Sequence, residues 1–112
     1  FNSGDAKTIS RHEVMCTLED VIEASAKLLV SKGKFFMVHR PQRFADIIEA
    51  MRKYKIEPKR LRMVAPSPGK APNLLLVEGM LDGGAELKIM PQLYIYNQNG
   101  KYSEETNKIY NR

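Results

Sequence analysis

The apolar positions fall into short blocks whose spacing changes along the chain. Leu18, Val21, Ile22, Ser25, Leu28 and Leu29 recur at intervals of three and four, which marks one face of an α-helix. Thr17 precedes them as an N-cap, with Asp20 three residues on and Glu19 in the first turn, an acidic form of the capping box. Gly33, after Lys32, is placed to close this helix in a left-handed cap. The run Phe35-Phe36-Met37-Val38 is continuous and apolar, the pattern of a strand buried on both faces. Helical spacing returns over residues 42–55 with Phe44, Ile47, Ile48 and Met51, and Pro58 is the expected stop. Leu61 and Met63 alternate with Arg60 and Arg62, as in a half-buried strand. A loop rich in Pro, Ser and Gly spans residues 66–72, and Leu74-Leu75-Leu76-Val77 is a second buried apolar run. Asp82-Gly83-Gly84 and Asn99-Gly100 read as turns, Leu93-Tyr94-Ile95-Tyr96 as a strand, and Ser103 as the cap of a short last helix.

Helices alternating with buried strands predict an α/β sheet with a crossover helix, its last two strands close enough for an antiparallel hairpin. A chain of 112 residues, 43% of them hydrophobic, fits one domain. No apolar run approaches the ~18 residues of a membrane span, and a cytoplasmic protein is expected. The single Cys16 excludes an internal disulfide and a zinc site made of thiolates alone.

Charge changes the picture more than composition does. The chain carries +5, but residues 32–70 hold eleven Lys and Arg against Asp46, Glu49 and Glu57, a local excess of +8. Such a sector suits a polyanion bound through sequence-blind, salt-sensitive contacts. The other reading is a solvated surface around a helix.

The common catalytic signatures are missing: there is no G-x-S-x-G, H-E-x-x-H, G-x-x-x-x-G-K or G-x-G-x-x-G. His12 and His39 are too sparse for a metal centre. His39 with Arg40 and Arg43 stands at the end of a strand, however, and the strand ends of open α/β sheets are where ligands gather. Tyr94, Tyr96, Tyr102 and Tyr110 crowd the tail; they either pack back on the sheet or stack on bases.

Several segments together resemble the bacterial tRNA adenine-N6 methyltransferases, whose best-known type modifies the adenine beside the anticodon of a valine tRNA. They are His39-Arg40-Pro41-Gln42-Arg43-Phe44-Ala45-Asp46-Ile47-Ile48, Glu57-Pro58-Lys59-Arg60-Leu61-Arg62-Met63-Val64 and Asn73-Leu74-Leu75-Leu76-Val77-Glu78-Gly79, with Ser10-Arg11-His12-Glu13 and Pro91-Gln92-Leu93-Tyr94-Ile95-Tyr96. The resemblance implies an α/β fold: the C-terminal half of a class I, Rossmann-like methyltransferase sheet, comprising strands five to seven with a terminal antiparallel hairpin. In that family the last strand inserts antiparallel between strands five and six. It makes residues 1–112 the C-terminal part of one methyltransferase domain, with an irregular leading segment at 1–12, an α/β core at 13–80 and a tail at 81–112.

The family's glycine-rich loop, ribose-binding acid and Asn-Pro-Pro-Tyr motif are not in this sequence, and Phe1 would fall shortly after the last of them. S-adenosylmethionine would therefore be bound by the missing N-terminal half, and this chain alone would be inactive, with no catalytic residue of its own. The partner implied is tRNA, with Arg11, His12, Arg40, Arg43 and Lys70 as candidate RNA-binding residues. Strand four would be absent beside Phe35-Phe36-Met37-Val38. The exposed edge would then lead to self-association or require the missing half. The alternatives are a non-catalytic basic nucleic-acid-binding or assembly module, and a methyltransferase of the same architecture acting on a small molecule or a protein.

Overall fold

The computed structural model describes residues 16–110. Its elements are helix α1 (Leu18–Leu28), strand β1 (Lys34–His39), a 3-10 turn (Pro41–Arg43), helix α2 (Phe44–Lys53), strands β2 (Ile56–Ala65), β3 (Leu74–Leu81), β4 (Lys88–Ile89) and β5 (Leu93–Tyr94), and helix α3 (Glu104–Tyr110). The sheet runs β1-β3-β2-β4, with β5 also paired to β2. Strand β3 is antiparallel to both β1 and β2, whereas β4 and β5 run parallel to β2. The expected hairpin of β2 and β3 is present, and the tail packs back on the sheet through β4 and β5.

Helix α1 begins as its sequence dictates. Thr17 Oγ1 accepts from the Asp20 amide at 3.1 Å, and Asp20 Oδ2 accepts from the Thr17 amide at 3.0 Å. Its end differs from expectation. The left-handed residue is Lys32 (φ 69°), not Gly33. Gly33 serves a different need, because a Cβ there would lie 2.8 Å from the Val30 carbonyl oxygen. The apolar face is also rotated from the one expected: Leu18, Ile22, Ala26 and Leu29 reach the core, while Val21 and Leu28 are exposed.

The second predicted helix is shorter than residues 42–55. It opens with the 3-10 turn and ends at Lys53, because Lys55 takes a left-handed conformation (φ 68°). Pro58 does not stop it. That proline is buried inside β2, where the pairing with β3 shifts register between Pro58 and Arg60, and a bulge tolerates a residue without an N–H. Strand β2 is therefore ten residues long rather than four.

Both α1 and α2 cover one face of the sheet. Ile22, Ile47, Ala50 and Met51 from the helices meet Phe35, Ile56, Leu61, Leu75 and Val77 from the strands. Each large apolar side chain buried there contributes about 1.5–3 kcal/mol. The opposite face of β1 is bare: Phe36 is 68% and Val38 61% exposed, so this strand is buried on one face and not on both. With Leu76, Arg60, Arg62, Glu78 and Met90 they line an open groove of about 340 Å³. Among the described residues, β1 also has no neighbour on its outer side.

Candidate functional site

Strands β1, β2 and β5 point the same way, so His39, Ala65 and Tyr94 end them at one edge of the sheet, where β3 begins at Leu74. Loops leave this edge at residues 40–43, 66–73 and 95–103. Between the start of α1 and the end of β1 lies a cleft of about 570 Å³, lined by Cys16, Thr17, Leu18, Val21, Met37, His39 and Arg43. His39 Nδ1 accepts from the Arg40 amide at 2.8 Å, which leaves the proton of the neutral ring on Nε2. Arg43 is held by Asp46, Nε to Oδ2 2.8 Å, one helical turn away. At the start of α1 the capping box engages the Thr17 and Asp20 amides, and the carboxylates of Glu19 and Asp20 stand in that first turn.

Arg40 and Lys70 differ from Arg43. Both are exposed, and among the described residues neither forms an ion pair. Lys70 closes the turn that begins at Ser67, its amide donating to the Ser67 carbonyl at 3.1 Å, with Gly69 (φ 84°) supplying the left-handed step. The structure thus brings three of the five sequence-derived candidates to the same edge. Arg11 and His12 lie outside the described residues.

The basic sector itself is not one patch. Arg43, Arg52, Lys53, Arg60 and Arg62 are paired with Asp46, Glu57, Glu19, Glu78 and Glu105. Lys32 and Lys59 donate to carbonyls of the loop after β3. Lys34 and Lys55 stand at the starts of β1 and β2, at the far end of the strands from Arg40 and Lys70. Sequence counting missed this because partners such as Glu19, Glu78 and Glu105 lie outside residues 32–70 or arrive from other elements.

Sequence reasoning also did not single out Cys16 and Thr17 as cleft residues. Only the packing of α1 beside β1 places them near His39. The Tyr96 and Tyr102 rings stack across an isolated antiparallel bridge, centroids 5.3 Å apart and planes 11° apart. The clustering of tyrosines in the tail was the one signal of that pair.

No cradle for S-adenosylmethionine is formed by the described residues. Gly69 and Gly100, the described glycines with positive φ, sit in the β2–β3 loop and in the turn closed by the Tyr96–Tyr102 bridge, and neither opens a helix directly after a parallel strand. Among the described residues no cluster of three or more His, Cys, Asp or Glu could hold a metal ion, and no helix is long and apolar enough to cross a membrane.

No protein-family model matches this sequence, and no curated protein matches it. Solved structures do. A predicted O-methyltransferase from Agrobacterium tumefaciens superimposes with a TM-score of 0.76 at 23% identity, over 84% of this chain and 45% of that one. The chain therefore spans less than half the length of the structure it matches. At this identity the likeness is one of architecture, and the described sheet and its helices have the fold of part of that α/β protein.

Proposed function

We propose that this chain is the C-terminal half of an S-adenosylmethionine-dependent methyltransferase that modifies an exocyclic adenine amine in tRNA. The observation that carries the reading is the strand order. Strand β3 lies antiparallel between β1 and β2, as the resemblance requires of strand seven between five and six. The methyltransferase likeness over 45% of the neighbour's length supports the same view. The amine and tRNA specificity rests on the His39-Arg40-Pro41-Gln42-Arg43 segment and its companions.

On this reading the chain's own residues build the rim and not the reaction centre. His39 and Arg43 wall the cleft beside α1, and Arg40 and Lys70 meet phosphates at the same edge. The bare face of β1 and its open outer side receive the remaining half of the domain, which brings the cofactor cradle and the clamp for the target amine. The isolated chain is inactive for want of both.

The deciding experiment is to sequence the coding DNA upstream of the Phe1 codon and to express the continuous reading frame. The expected result is an in-frame Asn-Pro-Pro-Tyr preceded by a glycine-rich loop, with methyl transfer to tRNA. In that protein Arg40→Ala should weaken tRNA binding and lower the salt slope by about one. A stop codon or an unrelated domain upstream of Phe1 would overturn the proposal.

A further inference from the structure

The hairpin over residues 94–103 is laced to the exit of β2. Ile95 donates to the Ala65 carbonyl at 3.0 Å and Tyr96 to the Pro66 carbonyl at 2.8 Å. Its tip is rigidified by Asn97, whose Oδ1 accepts from the amides of Asn99 (2.9 Å) and Lys101 (3.1 Å). Tyr96 keeps 40% of its surface exposed although its ring stacks on Tyr102. Beside it opens a cleft of about 380 Å³, with Ser67 and Pro68 of the Pro-rich loop and Asn97, Gln98 and Gly100 of the hairpin as its other walls.

The chemistry of these walls is selective. An aromatic ring and a proline offer flat apolar surface, the Gln98 amide offers a donor and an acceptor, and Asn97, its Oδ1 already engaged, offers its NH2 as a donor. No carboxylate lines the cleft. Lys70 ends the turn that carries Ser67 and Pro68, and Lys101 follows Gly100; both are exposed. A bridged tyrosine pair needs neither a cleft beside it nor lysines in the two loops that wall that cleft to hold a hairpin together.

We propose that this cleft binds one unpaired base of an RNA strand, stacked between Tyr96 and Pro68, with the neighbouring phosphates met by Lys70 and Lys101. Bases in a duplex are already stacked and hidden, so the ligand is single-stranded RNA. The inference deepens the RNA-substrate reading above and rests on it.

The test uses the protein expressed from the continuous reading frame that holds this chain, and a short single-stranded RNA carrying 2-aminopurine, with the same strand annealed to its complement as a control. Binding of the single strand should quench the 2-aminopurine fluorescence, and the duplex should bind more weakly. Tyr96→Leu should reduce affinity on the order of tenfold and abolish the quenching, while Tyr96→Phe retains both. Pro68→Ser, on an exposed loop away from the core, should weaken binding in the same direction and stands in if Tyr96→Leu does not fold. If the protein binds RNA but neither Tyr96→Leu nor Pro68→Ser alters affinity or quenching, the cleft is not the base site and the RNA reading survives. If the unaltered protein shows no salt-dependent RNA binding, the base site and the RNA reading fall together.

Discussion

Gly79 shows how one position can be fixed by what surrounds it. It lies in the central strand β3, opposite Phe35 of β1 and Pro58 of β2. A Cβ there would stand 2.5 Å from Met51 Cε and 2.6 Å from Ile56 Cγ2, both on fully buried side chains. Met51 can swing aside, but Ile56 is branched and enclosed, so the crowding must be absorbed by the backbone. Gly79→Ala should therefore destabilise the fold by about 1–3 kcal/mol, the usual effect of overpacking, measured by urea unfolding followed by circular dichroism. A variant as stable as the parent would show that Met51 alone absorbs the clash. In the sequence this glycine is only the last residue of the segment from Asn73 that carries the family resemblance, since nothing local distinguishes a glycine in a strand that is crowded from one that is not.

At the scale of elements, the two helices are joined by more than their apolar faces. Lys53, at the end of α2, reaches Glu19 in the first turn of α1, Nζ to Oε1 2.6 Å. The hydrogen bond to Glu19, and then its negative charge, hold the Lys53 ammonium above its ordinary range. A base whose folded-state value is raised contributes stability that is complete below its unfolded value, about 10.4, and is lost as pH rises through the folded value. The difference in unfolding free energy between the parent and Glu19→Gln should thus be constant at pH 8–9.5 and shrink at higher pH. Added salt should diminish it throughout, because the pair is exposed. A difference that grows with alkaline pH would contradict the assignment. Helix α3 is tied down in a similar way, through Arg62 of β2 and Glu105. Ser103 also caps it, as its sequence implies, with Ser103 Oγ accepting from the Thr106 amide at 3.1 Å.

For the molecule as a whole, the dominant feature is that, among the described residues, α1 and α2 cover one face of the sheet and leave β1 uncovered on the other. Phe36 and Val38 lie on the bare side of β1, whose outer backbone groups have no partner strand among the described residues. Apolar surface beside an open strand edge drives association. Light scattering of the isolated chain should show a mass that rises with concentration. Phe36→Lys combined with Val38→Lys should lower that mass without lowering the melting temperature, because neither side chain contributes to the core. A monodisperse monomer at high concentration would count against an unfilled interface.

By itself the sequence determined what depends on near neighbours and periodicity. Thr17 with Asp20 sets the start of α1, Ser103 sets that of α3, the alternation about Leu61 and Met63 marks a strand, and the glycine and proline clusters mark the turns. It also placed His39, Arg40 and Arg43 at a strand end, because an apolar run followed by proline is local information. Other features required the tertiary structure, since they depend on residues distant in sequence. Pro58 fits inside β2 because β3 shifts its register there. Lys70 and the Tyr96 hairpin reach the same edge as Arg40 because β1, β2 and β5 run parallel. The basic sector disperses because carboxylates from α1, β3 and α3 fold onto it. A run such as Phe35-Phe36-Met37-Val38 encodes a preference for burial on two sides, but what fills each side is decided by the elements that pack there, and these helices fill only one.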